Sequence, residues 1–233
     1  MRLAAFALTI LLVPVPALAG PKVITSVMPV HSIVAAVMGE TGNPHLLLEG
    51  QMSEHRATFT ATQIADLGKA DAVFIIGHGL EAKLARISGS EAVNGKRFVE
   101  LSDAPGVKTL PIRDGGGFEP HDHAHEHGDD HAEEPDAEGV LRFDPHVWLD
   151  PENAKAMAMA VADTLSAADP GNAAAYAANA RTFAAGIDAV SAEIAASLAP
   201  VKDKPYIVFH DAYQYFERRF GLTAAGAIAD VSA

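Results

Sequence analysis

The chain contains no cysteine. That excludes disulfide staples and any metal site built on thiolates, so a bound metal here must be held by histidine and carboxylate. Basic residues are scarce too: 17 Lys and Arg stand against 30 Asp and Glu, a formal net charge of −13. This balance excludes a nucleic-acid surface, and no Lys/Arg-rich amphipathic stretch marks a helix lying on a membrane. Beyond the first twenty residues, no stretch is expected to reach membrane-spanning length.

What is present begins with an export signal. Arg2 supplies a positive start, Leu3 to Val15 form a short apolar run, and Ala17-Leu18-Ala19 closes it with small residues before Gly20. This is the pattern of a cleavable signal peptide over residues 1–19. A lipid anchor would need a cysteine after the cleavage point. The sequence therefore predicts a soluble protein of the periplasm, with no membrane insertion once the signal is removed.

Charge is unevenly distributed. Nine of the acidic residues lie between Glu119 and Glu138, where there is no Lys or Arg. The rest of the chain is only mildly acidic. The run from Glu119 to Glu138 lacks aromatic and branched apolar side chains, so the segment 115–139 cannot bury enough surface to offset the entropy of ordering. It is predicted to be a mobile loop rich in histidine and acid.

On either side of this break the pattern alternates between strand and helix. Lys22 to Met28, His45 to Leu48, Ala72 to Ile76 and Arg97 to Glu100 read as strands. Helical spacing covers His31–Met38, a stretch beginning at Thr60 or Thr62 and ending at Gly68, and Glu81–Ile87. The stretch A-V-F-I-I is apolar throughout, as a parallel strand covered on both faces should be. These features predict an α/β doubly wound lobe.

After the loop, Asp150-Pro151 is a strong helix start, since Asp caps and Pro suits the first turn. That helix is expected to run to about Ala167. A longer one follows from Asn172 to Leu198, with Tyr176, Ala180, Phe183, Ile187, Val190, Ile194 and Leu198 spaced by three or four. It would span about 40 Å, enough to brace two lobes, although spacing alone fits a helix packed on one core equally well. Pro205 to Phe209 reads as a further strand, followed by a helix ending near Gly221 and a possible strand between Ala225 and Val231.

Three histidines sit where short apolar strands meet loops: His55, His146 and His210. Open α/β sheets place their ligand sites beyond the carboxyl ends of strands. Imidazoles from separate strand ends can converge there on one Zn²⁺. Each is also readable by itself as an ordinary hydrogen-bonded residue. Asp144 and Asp211 lie beside two of them, in position to orient imidazole N–H groups. His31, His45 and His78 have no such support and are expected to be structural or at the surface. His121, His123, His125, His127 and His131 in the acidic segment form an adaptable, weaker set of ligands for divalent transition metals. The run H-A-H-E-H superficially matches a hydrolase metal cluster, but it follows Gly-Gly-Gly and not an apolar strand, so no enzyme is predicted.

The combination of E-G-Q-M-S-E-H, a His/Asp-rich loop, D-P-H-V-W-L-D-P and F-H-D-A-Y-Q-Y-F-E-R-R-F-G-L resembles the zinc-specific binding proteins of ABC importers known as the ZnuA family. The resemblance covers essentially the whole exported chain. It implies two doubly wound parallel-sheet lobes joined by a long rigid helix, with metal held in the cleft between them. In this chain it implies an N-terminal lobe at 20–169, a connector at 170–200 and the start of a second lobe at 201–233, left incomplete. It also implies His55, His146 and His210 as ligands to Zn²⁺, with Glu54 as an additional carboxylate. The sequence departs from the family after His55, where R-A-T-F-T-A-T-Q replaces the usual aromatic and Pro-Ser helix start.

The function expected from the resemblance is capture of periplasmic Zn²⁺ by a monomer, and delivery to an ABC permease and its ATPase. The alternatives are a zinc chaperone or buffer working without a permease, a manganese-type relative, and, more remotely, a metal-dependent adhesin. With few strands after the connector, residues 204–233 are expected to be loosely held.

Overall fold

The structure is a computed structural model that describes residues 20–48, 58–77, 80–90, 93, 98–113 and 143–229. The signal peptide assignment, Glu54, His55, His78 and the histidines from His121 to His131 lie outside the described residues.

Strands β1 (Val23–Thr25), β2 (His45–Leu46), β3 (Ala72–Ile75) and β4 (Phe98–Glu100) form a parallel sheet in the order β2-β1-β3-β4. Helices α1 (Met28–Met38), α2 (Ala61–Leu67) and α3 (Ala82–Ser88) are interleaved with them. The predicted doubly wound α/β arrangement is therefore present. Side chains alternate across β3, as the two-residue period of a strand requires. Phe74 and Ile76 join Val30, Val34, Met157 and Val161 in one core, while Val73 and Ile75 join Leu67 and Leu84 in the other. Every residue of β3 is fully buried.

Local chemistry explains several boundaries. Thr60 caps α2 in a reciprocal capping box: its hydroxyl accepts from the Gln63 N–H at 3.2 Å, while Gln63 Oε1 accepts from the Thr60 N–H at 2.9 Å. Asp150 caps α4 (Pro151–Ala168), accepting from the Glu152 N–H at 2.9 Å. The first strand is shorter than expected, because Pro29 in its opening turn lets α1 start at Met28.

Helix α5 (Ala173–Leu198) packs on α4 and α1. Tyr176 and Ala180 are buried and Phe183 lies against the core, but farther along Val190 is half exposed. The expected stripe is thus packed in its first half only. Contrary to expectation, the Pro170–Val201 stretch is long enough to pass for a membrane span and holds an 18-residue window with a mean hydropathy of 1.3.

Beyond α5, strands β5 (Val208–His210) and β6 (Ala227–Ala229) form a separate parallel pair, with α6 (Gln214–Phe220) between them. Helix α6 ends at Gly221, whose φ of +67° is left-handed; a Cβ there would come within 2.7 Å of Lys202 Cε.

Candidate metal centre

His146 and His210 reach the same point from different elements. His210 is the last residue of β5, and His146 precedes a single 3₁₀ turn, Val147–Leu149, that leads into the Asp150 cap of α4. Their Nε2 atoms face each other at 3.3 Å, with the rings nearly perpendicular.

Asp144 sets the His146 ring. Its Oδ1 accepts the backbone N–H of His146 at 3.0 Å and lies 2.8 Å from the ring Nδ1. With the proton on Nδ1 pointing at the carboxylate, the Nε2 lone pair is left for a metal, and the carboxylate strengthens that nitrogen as a donor. Asp144 and His146 are both buried.

Asp144 is itself held in a closed set of hydrogen bonds. Its N–H donates to the Leu110 carbonyl at 2.8 Å, and its carbonyl accepts from the Tyr215 hydroxyl at 2.7 Å. The same hydroxyl accepts from the Leu110 N–H at 2.9 Å. Burial pushes the Tyr215 phenol up, so it keeps its proton for this bond.

Asp211, next to His210, pairs with Arg113, and a second arm of the guanidinium reaches Glu217 Oε2 at 2.5 Å. Burial works against the Arg113 charge, but the two carboxylates outweigh it and raise its pKa further. Burial, followed by the nearby Glu217 charge, pushes the Tyr206 phenol up to about 12.

The 3.3 Å separation has a direct chemical meaning. Two nitrogens each about 2.0–2.1 Å from a tetrahedral zinc lie one tetrahedral edge apart, roughly 3.3–3.4 Å. The pair is therefore spaced as two ligands of one ion. Among the described residues no third His, Asp or Glu joins them as a ligand cluster. Of the remaining histidines, His31 Nδ1 lies 3.2 Å from the Thr25 hydroxyl and His45 is exposed in β2.

The sheet carries a second polar feature at its switch point, where the strand order reverses between β1 and β3. Glu81, almost fully buried, accepts from the Ser26 hydroxyl and from the N–H groups of Ile76 at 3.2 Å and Gly77 at 3.0 Å. Burial raises its pKa to about 7 against the pull of these hydrogen bonds. Arg113, Tyr215 and Glu81 were not singled out by sequence reasoning. Tyr215 stands inside the F-H-D-A-Y-Q-Y-F motif, whereas Arg113 and Glu81 carry no local signal.

Two imidazoles held one tetrahedral edge apart, on an α/β scaffold, define a candidate metal-binding protein. Residues 23–233 match the family model for the zinc-uptake complex component A, periplasmic, ZnuA, and the chain belongs to that family. It is 42% identical over 230 residues to the high-affinity zinc uptake system protein ZnuA of Brucella abortus (strain 2308), covering 91% of this chain and 69% of that protein. The protein of the same description from Paracoccus denitrificans (strain Pd 1222) is 36% identical over 221 residues, covering 90% and 67% respectively. A crystal structure of ZnuA superposes with a TM-score of 0.69 at 25% identity, covering 88% of this chain and 70% of the other. The chain is thus shorter than these relatives.

Proposed function

We propose that this chain captures Zn²⁺ in the periplasm as the solute-binding component of a zinc uptake system, and hands it to an ABC permease driven by its ATPase. The observation that carries the reading is the 3.3 Å gap between the Nε2 atoms of His146 and His210, backed by Asp144. Family membership supports zinc as the cargo. We assign His55 as the third imidazole and Glu54 as an adjoining carboxylate, both following β2 in sequence. The proposed division is an N-terminal lobe at 20–169, a connector at 170–200 and a second lobe beginning at 201. The role is binding, with no chemical conversion of the ion.

The chemistry of capture is proton-linked. Neutral imidazole must present a lone pair, so protons compete with zinc and affinity falls on acidification. Asp144 keeps the His146 proton on Nδ1 and leaves Nε2 facing the ion. The histidines from His121 to His131 add further, weaker equivalents, as expected of a flexible imidazole and carboxylate tract.

Competition titration against a chromogenic zinc chelator tests the reading. The full chain should show one tight equivalent. His55→Ala, His146→Ala or His210→Ala should each weaken it by more than about 100-fold, beyond what the loss of an outer partner costs, with unchanged far-UV circular dichroism. Deletion of residues 119–138 should keep the tight equivalent and remove the weak ones. Unchanged affinity in any two of the histidine variants would overturn the assignment.

A further inference from the structure

The two facing imidazoles belong to different parts of the chain, and one short segment touches the supports of both. On one side, the Leu110 carbonyl accepts the N–H of Asp144, the residue that orients His146, at 2.8 Å. On the other, Arg113 grips Asp211, the neighbour of His210 at the end of β5. Between them, the Pro111 carbonyl accepts from Gln214 Nε2 at 3.0 Å, fastening the segment to the first residue of α6. Residues Leu110 to Arg113 therefore form a strap whose two ends are bonded to the two halves of the site.

The Arg113 end is suited to fixing a position. Its Nη2 bonds one oxygen of Asp211 while its Nε lies 3.4 Å from the other, and its Nη1 bonds Glu217. The side chains are largely withdrawn from water: Arg113 is 20% exposed, Asp211 8% and Glu217 4%. A guanidinium holds two carboxylates in a rigid fork, and a lysine ammonium on its flexible stem cannot reproduce that geometry. Without the cation, two nearly buried carboxylates would face each other beside the turn that leaves His210. The turn would then shift to relieve the repulsion or to admit water.

We propose that Arg113 is a positioning residue for the zinc site, holding His210 at coordinating distance from His146 by clamping Asp211 and Glu217 to the strap. This inference rests on the zinc-binding reading above. It assigns Arg113 no contact with the ion; its effect on affinity passes through His210 alone.

A double-mutant cycle on the full chain separates this from a general structural role. Zinc affinity is measured by chelator competition in the wild type, Arg113→Gln, His210→Ala and the double variant. Arg113→Gln is expected to weaken binding about 10-fold to 100-fold, the range for partners outside the ligand set. In the His210→Ala background the same change should cost less than about 2-fold, because the residue it positions is gone. Arg113→Lys should recover only part of the loss. Should Arg113→Gln fail to fold, Asp211→Asn, which keeps the side-chain shape, carries the same cycle with the same expectation. Unchanged affinity in a folded Arg113→Gln, or an equal loss in both backgrounds, overturns the proposal. If the wild type takes up no tight zinc, or His210→Ala leaves affinity intact, the zinc-binding reading itself fails, and the proposal falls with it.

Discussion

The two parallel sheets among the described residues are built from similar short strands but are covered very differently. In the four-stranded sheet, β3 is closed on one side by α1 and α4 and on the other by residues of α2 and α3, and Ala72 to Ile75 are all fully buried. In the two-stranded sheet, Ile207, Phe209 and Ile228 are 62%, 72% and 67% exposed. Parallel strands depend on cover at both faces, so the first sheet is a rigid base and the second draws little from apolar packing of its own. Its hold on the rest comes from Tyr215, which joins the main core, and from polar links to Leu110, Arg113 and Asp150. His146 belongs to the tightly packed region and His210 to the lightly covered one. The candidate metal centre is the place where the two meet.

The largest test of this contrast is in the base. Phe74→Ala should destabilise the protein by about 3–5 kcal/mol, the usual cost of emptying a fully buried aromatic site, measured by urea unfolding. A loss under about 1 kcal/mol would mean that the core around β3 is far looser than its burial indicates.

A smaller effect is expected from Glu81. Burial lifts its folded pKa to about 7, above the ordinary carboxyl value of 4.5, so the folded state binds its proton more tightly than the unfolded state does. The stability this contributes is fully present below about pH 4.5 and is lost as pH rises through 7, for a total on the order of 3 kcal/mol. Glu81→Gln should abolish this slope, so the wild type should lose thermal stability between pH 5 and pH 7.5 relative to the variant. Parallel melting curves across that range would show the carboxyl to be ionised at little cost, contradicting its burial.

The smallest effect belongs to the open face. Phe209→Ser should change unfolding free energy by no more than about 0.5 kcal/mol, as surface substitutions do, and should raise solubility by breaking an apolar patch. A cost approaching that of Phe74→Ala would show the face to be covered in solution and would dissolve the contrast between the sheets.

Much of the base was legible because its signals are local. The all-apolar run at β3, the threonine cap at Thr60 or Thr62 and the Asp150-Pro151 start each report on a few neighbouring residues, and β3, α2 and α4 appear within a residue or two of expectation. The reading of K-V-I-T-S-V-M as one strand ran past the true start of α1 because its apolar pattern continues through the boundary, and only Pro29 marks the turn. In the second sheet the expected strand, Pro205 to Phe209, is displaced to Val208–His210 because its partner sets the register: Val208 N–H donates to the Gly226 carbonyl and Ala225 N–H to the Tyr206 carbonyl. Arg113 was invisible for the same kind of reason. Its carboxylate partners lie 98 and 104 residues away in sequence, and no spacing rule connects them. Asp144 was legible as a partner of His146 because only one residue separates them.

The central claim is that one zinc ion sits between His146 and His210. A crystal of the full chain grown with zinc, with anomalous data collected on both sides of the zinc absorption edge, tests it most directly. The account predicts one strong peak about 2.0–2.1 Å from both Nε2 atoms, with Asp144 still bonded to His146 Nδ1. A fully occupied zinc elsewhere, with the two imidazoles still facing each other without an ion, would contradict it.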